Sequence, residues 1–204
     1  AVINLLGVVS EKQRQQVFDI NVGGTRNVVA ACRAHGVKKL VYTSTNNVCF
    51  DREIIDGDEQ CAYASRYIDL YTESKVAAEK VALEAASVDG LDVVALRPGG
   101  IWGPGPGAYM IEKFVSELAS GKLVATLGDG SAVADNTHVA NLVDAQLLAA
   151  QALSERPEQV SGRAYFITDG EPMNAVEWFR PLVEALGYKL PRVKLPGRLM
   201  YGLA

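Results

Sequence analysis

The chain has 204 residues, of which 49% are hydrophobic and 22% charged, and its formal net charge is −4. This is ordinary globular composition for one large domain or a domain with a small appendage, and it offers no basic stripe for nucleic acid. The longest apolar runs are strand-sized, far below the roughly 18 residues of a membrane span, and no charged stretch leads into an apolar one as in a signal peptide. Cys32, Cys49 and Cys61 lack paired or CxxC spacing, which argues against a disulfide framework and a zinc site. A reducing compartment, cytoplasmic or at the cytosolic face of a membrane, is therefore expected.

In chain order, AVINLL (1–6) reads as a buried strand, and the chain starts inside it, so the whole reads as a piece of a longer protein. Residues 12–35 read as a helix: Val17, Ile20, Val28, Ala31 and Cys32 recur near the 3.6-residue period, Gly23 and Gly24 weaken the middle, and Gly36 is a C-cap candidate. KLVYTST (39–45) is a strand, 51–62 a polar loop, 71–86 a helix with Ala78, Val81, Ala82 and Ala85 on one face, and LDVVALRP (91–98) a third strand. This alternation points to an α/β fold with a parallel sheet covered on both faces. Further on, helices are expected at 109–121, at 137–153 with Asp135 or Thr137 as cap, and at 174–186 before Gly187. A turn falls at Leu127–Gly130 and a strand with its turn at 164–170.

Tyr71-Thr-Glu-Ser-Lys75 carries the sharpest chemical signal. Residues four apart share a helix face, and an ammonium near a phenol favours the phenolate and lowers a pKa that starts at about 10. Such a tyrosine can exchange a proton with an alcohol or ketone. Alone the spacing is common by chance, but two neighbours give it context. Thr43-Ser44-Thr45-Asn46-Asn47 places hydroxyls at a strand's carboxyl end, where α/β sheets hold ligands. Arg97-Pro98-Gly99-Gly100-Ile101-Trp102-Gly103 follows the next strand, and its glycines let backbone approach a flat ring. Asp129 reads as a turn residue, His35 as a helix C-terminal histidine favoured by the dipole, and His138 as a structural cap or cleft wall. Cys49 and Cys61 flank the loop before Tyr71, and Trp102 and Tyr109 suit either a substrate wall or core packing.

YTSTNNV (42–48), IDLYTESK (68–75), LRPGGIWGPG (96–105) and GRAYFITDGEPM (162–173), in this order, resemble the extended short-chain dehydrogenases/reductases over all 204 residues. Within them the chain is most similar to the 3β-hydroxysteroid dehydrogenase/isomerase family, including sterol-4α-carboxylate 3-dehydrogenases. The resemblance implies Tyr71 as general acid/base, and Lys75 as the residue that lowers its pKa and binds the nicotinamide ribose. It puts the catalytic hydroxyl on Thr45, with Ser44 as alternative. Asn21, Thr43, Pro98, Gly99 and Ile101 join Tyr71 and Lys75 as cofactor contacts, and Leu5, Leu6 and Gly7 form a strand tip in which Asn4 replaces the usual His.

The fold so implied is a Rossmann-like parallel sheet lacking its first half, including the glycine turn that cradles a pyrophosphate, with a small C-terminal substrate-binding part. Residues 1–104 would be the catalytic half of the dinucleotide-binding domain, and 105–204 mainly the substrate part with elements returning to the sheet. The implied activity is oxidation of a 3β-hydroxyl on a steroid- or sterol-like alicyclic alcohol, with NAD or NADP as cofactor (NAD favoured) and no metal. A homodimer and a peripheral membrane contact fit the resemblance. The alternatives are another extended dehydrogenase, such as a nucleotide-sugar epimerase or a ketone/aldehyde reductase, or a non-catalytic dinucleotide-binding protein on the same fold.

Overall fold

A computed structural model describes residues 14–51, 54–105 and 109–195. The first helix is one rod with a defect. It runs as α1 (Arg14–Phe18), passes through a π turn at Asp19–Gly23, and continues as α2 (Gly24–Ala34). Gly23 and Gly24 therefore sit in helical conformation, not at a break. A π turn carries an extra residue and advances the helix face. That is why Ala31, which falls on the stripe read from strict periodicity, is exposed, while Val22, Val29 and Cys32 are in the core. The rod ends as expected at Gly36, with φ +65°. Val37 N–H donates to Cys32 O and Gly36 N–H to Arg33 O, the pair of bonds of a Schellman cap.

Strand β1 (Lys39–Thr43) leads through a short 3₁₀ turn, Asn46–Cys49, and the polar loop to α3 (Leu70–Glu84). Asp69 caps α3, accepting from Thr72 N–H at 2.7 Å. Strand β2 (Asp92–Pro98) follows, then β3 (Ile101–Trp102), α4 (Tyr109–Ala119), β4 (Thr126–Leu127), β5 (Val133–Ala134) and β6 (Thr137–His138). Next come α5 (Val139–Glu155), α6 (Pro157–Val160), β7 (Ala164–Ile167), β8 (Met173–Asn174), α7 (Arg180–Ala185) and β9 (Lys194–Leu195). Two expectations change. Thr137 and His138 belong to a strand, so the helix expected from 137 begins at Val139. The helix expected at 174–186 is interrupted: Asn174 Oδ1 accepts from Val176 and Glu177 N–H, an Asx turn that competes with helix, and regular helix starts only at Arg180.

The chain forms two compact units. One holds the described residues up to Gly99 together with Ala140–Ile167. Its three strands are parallel in the order β1-β2-β7, with Leu40 opposite Val93 and Leu96 opposite Tyr165. Strand residues alternate between faces. Leu40, Tyr42, Val93 and Ala95 pack with Ala78 and Ala82 of α3, with Ala85 at its C-cap, and with Val29 and Cys32 of α2. Val41, Val94 and Leu96 meet Leu153, Ala145 and Ala149 of α5 on the other side. Both faces are covered, as parallel sheets require, and each fully buried Leu or Val contributes about 1.5–3 kcal/mol.

The second unit, residues 100–139 with those from Thr168 on, is built from strand pairs and aromatic packing. Strand β3 pairs with β6, β4 with β9 and β5 with β8. Asp169 ties the first pair together, accepting from Trp102 Nε1–H and from the His138 backbone N–H, each at 2.7 Å. Trp102 packs edge-on against His138 and Trp178, and Phe114 stacks on Phe179 at 3.9 Å. Gly103 is required here: its φ is +139°, and a Cβ would come within 2.6 Å of Val139 Cγ1.

Candidate active site

The site lies in the first unit, where the carboxyl end of β1 meets the first turns of α3. Thr43 closes β1. Ser44 stays beside the sheet because its N–H donates to Leu96 O at 2.7 Å, and Thr45 caps the 3₁₀ turn, its Oγ1 accepting from Asn47 N–H at 3.3 Å. All three are buried. Thr43 Oγ1 accepts from Gln146 of α5 at 3.3 Å, whereas the Ser44 hydroxyl is buried without a partner. Of the two candidate hydroxyls, Thr45 is the one whose side chain bears on the Tyr71 phenol, working against the rise that burial imposes.

Tyr71 and Lys75 occupy the first two turns of α3. Burial pushes the Tyr71 phenol above its ordinary value; a hydrogen bond with the Thr45 side chain opposes this, and the nearby Asp69 charge adds to it. The Lys75 ammonium, 2% exposed, donates to Thr43 O at 2.8 Å and lies 4.6 Å from the centre of the Tyr42 ring. Burial pushes it down to about 8, against the attraction of Glu79. Lys75 thus spends its contacts on β1, and the phenol is held up by burial, contrary to the lowering that the spacing alone suggests.

Asn21 reaches this helix from the π turn. It is fully buried, and its Nδ2 donates to Ser74 Oγ at 2.7 Å, which in turn donates to the Tyr71 carbonyl at 2.8 Å. The π defect is what turns an interior helix asparagine toward α3, and it fixes the backbone from which Tyr71 projects. Asn21 Oδ1 has no partner, so buried acceptor capacity is left over.

Pro98 ends β2, and Gly99 N–H donates to Ile167 O at 3.3 Å. Ile101 belongs to the second unit, on β3 opposite Thr137. Leu5, Leu6 and Gly7 lie outside the described residues. Cys49 and Cys61 pack beside Val48, Val76 and Tyr63, and burial pushes the Cys49 thiol up to about 11. Asp129 is a turn residue as expected, accepting from Ser131 N–H.

Sequence reasoning missed the groups beneath the Tyr71–Lys75 face of α3. Glu79 and Arg97 form a buried ion pair at 2.6 Å, and Tyr63 donates to Glu79 at 2.8 Å. The available signal was the spacing of Tyr71, Lys75 and Glu79, each four residues on. Among the described residues no cluster could hold a metal ion, and no helix is long and apolar enough to cross a membrane. The second unit contains a cavity of about 390 Å³ floored by Phe114, Phe179, Ala134 and Ala175, with Lys113 and Glu117 also on its wall.

Strand order, covered parallel sheet and a Tyr–Lys helix beside a hydroxyl-bearing strand end define an extended short-chain dehydrogenase architecture. Residues 1–197 match the model of the 3-beta hydroxysteroid dehydrogenase/isomerase family, and the chain belongs to that family. A 3-beta-hydroxysteroid dehydrogenase of Mycolicibacterium neoaurum is 41% identical over 98% of this chain and 55% of its own length. Short-chain dehydrogenase/reductase family 42E member 1 of Danio rerio is 42% identical over 94% of this chain and 52% of its own. The chain thus spans about half the length of these relatives. Among solved structures, the UDP-glucose 4-epimerase of Thermus thermophilus in complex with NAD superposes with a TM-score of 0.71, at 25% identity, covering 97% of this chain and 65% of that one.

Proposed function

We propose that the protein of which this chain forms part is an NAD(P)-dependent oxidoreductase that converts a 3β-hydroxyl of a steroid- or sterol-like alcohol to a ketone. The observation that carries this reading is the Thr45–Tyr71–Lys75 constellation at the carboxyl end of a parallel strand. Family membership and the relative named a 3-beta-hydroxysteroid dehydrogenase support the substrate class. The donor set fits a nicotinamide dinucleotide: Lys75 has ammonium hydrogens beyond the one given to Thr43 O, and Tyr71 retains its phenol. When bound, that cofactor supplies the hydride acceptor. Tyr71 takes the proton of the substrate hydroxyl in oxidation and returns one in reduction. Thr45 holds the phenol and the substrate oxygen in line. Lys75 and Asn21 fix the strand end and the helix turn that carry them.

The pH dependence follows. Oxidation needs Tyr71 without its proton and Lys75 with one; the first becomes common only above the ordinary tyrosine range and the second fades above about 8. The oxidative rate should therefore rise through neutral pH to an alkaline optimum. Reduction needs both groups protonated, so it should be full at neutral pH and fall as pH passes about 8. Assays of the complete protein with 3β-hydroxysteroids, and with UDP-sugars as controls, test the function and the profile together. Turnover of UDP-sugars alone, or an oxidation rate that peaks at acid pH, would overturn the reading.

Thr45→Ala should slow the chemical step by about 10²-fold, the lower part of the range for lost proton-transfer partners. Ser44→Ala should slow it less, since its hydroxyl has no partner. Single-turnover rates decide, and the reverse order would move the catalytic hydroxyl to Ser44.

A further inference from the structure

Glu79 has no part in the chemistry above, yet a carboxylate is among the most costly groups to bury. It is fully inaccessible on α3, one turn beyond Lys75 and two beyond Tyr71, on the same helix face. Arg97 of β2 grips it from across: Nη2 donates to Oε1 at 2.6 Å, and Nε to Oε1 and Oε2 at 3.1 and 3.2 Å. Tyr63 of the polar loop adds a third donor at 2.8 Å. Such a pair gains little net stability over apolar side chains of similar volume, so stability alone does not account for it.

What the pair does supply is a carboxylate fixed one turn beyond Lys75 on the same buried helix face, with its counter-charge, Arg97, reaching it from β2. The ammonium contacts Tyr42 and the Thr43 carbonyl on β1, and on its own helix Glu79 follows one turn on; Asn21 and Ser74 are neutral. Glu79 itself is held by Arg97 and Tyr63, and its charge also acts on the Tyr42 phenol and the Cys49 thiol. Glu79 is the one carboxylate in this set. We propose that Glu79 is a positioning residue for Lys75: locked by Arg97 and Tyr63, its carboxylate keeps the buried lysine in the charged form that donates to the Thr43 carbonyl. The catalytic tyrosine, its lysine and the charge that sustains the lysine are then three successive turns of one helix. Burial drives Lys75 toward its neutral form, and the Glu79 charge opposes that drive.

This inference rests on the roles given to Tyr71 and Lys75, but its test does not need turnover. In the complete protein carrying ¹³Cε-labelled lysine, the Lys75 signal is identified by its loss in Lys75→Arg, and its titration is followed by NMR. The midpoint, near 8 in the wild type, should fall by about one pH unit in Glu79→Gln, a tenfold change in proton affinity. The alkaline loss of reductive activity should move down with it. Because Glu79→Gln strands the Arg97 charge and can fail to fold, Glu79→Gln/Arg97→Met is the deciding variant: it leaves no buried charge unpaired. A lowered midpoint in the double variant supports the proposal. An unchanged midpoint there overturns it, including the case where only the single variant shifts, since the stranded arginine would then be the cause. An active Tyr71→Phe would instead refute the catalytic reading and leave the Lys75 titration readable.

Discussion

Tyr71→Phe should lower turnover in the complete protein by about 10²- to 10⁴-fold, the range for loss of a positioned acid or base, while fold and cofactor affinity stay close to wild type. The substitution removes one hydroxyl and keeps the ring. Nothing that builds the site depends on that hydroxyl: Asp69 caps α3 through Thr72 N–H, Ser74 bonds the backbone carbonyl of residue 71, and Lys75 bonds Thr43 O. With no structural hydrogen bond resting on that hydroxyl, the melting temperature should move by only a few degrees. Steady-state rates with a cofactor titration check both halves of the claim. A variant within a few-fold of wild type in kcat would remove Tyr71 from the chemistry.

The parts of this molecule that could be read from the sequence are those governed by local pattern. The strands at 39–43 and 92–98 announce themselves by β-branched and aromatic residues flanked by turn formers, and the alanine face of α3 by its period. The Tyr71–Lys75 pair was legible because both residues sit on one helix, four apart on one face. What escaped depends on contacts between distant segments. The π turn at Asp19–Gly23 leaves no mark beyond two glycines, yet it decides that Val29 is buried and Ala31 is not, and it aims Asn21 at Ser74. The strand at Thr137–His138 was hidden because helix-forming residues follow at once; its pairing with Ile101 and Trp102 outweighs local propensity. The four-residue spacing does not give the lysine's direction, which is set by what accepts its hydrogens, here the Thr43 carbonyl 32 positions earlier.

Arg97→Met should be the most destabilising of the substitutions in the site, at about 3–5 kcal/mol, because it strands a carboxylate in the interior. Glu79 is completely inaccessible, Arg97 is nearly so, and between them they share three of the hydrogen bonds that make the burial tolerable. With the guanidinium gone, the Tyr63 hydroxyl is the remaining donor to Glu79, and one neutral hydrogen bond does not replace a bidentate charged one. The Arg97 side chain also lies over the rings of Tyr63 and Phe166, at 5.4 and 5.6 Å, so methionine fills part of that space but loses the cation–π attraction. Pairing Arg97→Met with Glu79→Gln should recover most of the loss, since the neutral amide keeps a group for Tyr63 to bond and removes the stranded charge. Urea unfolding of the wild type, both single variants and the double variant forms a thermodynamic cycle whose coupling energy isolates the pair. A coupling below about 0.5 kcal/mol, the scatter expected of independent sites, would mean that the two residues are buried side by side without depending on each other.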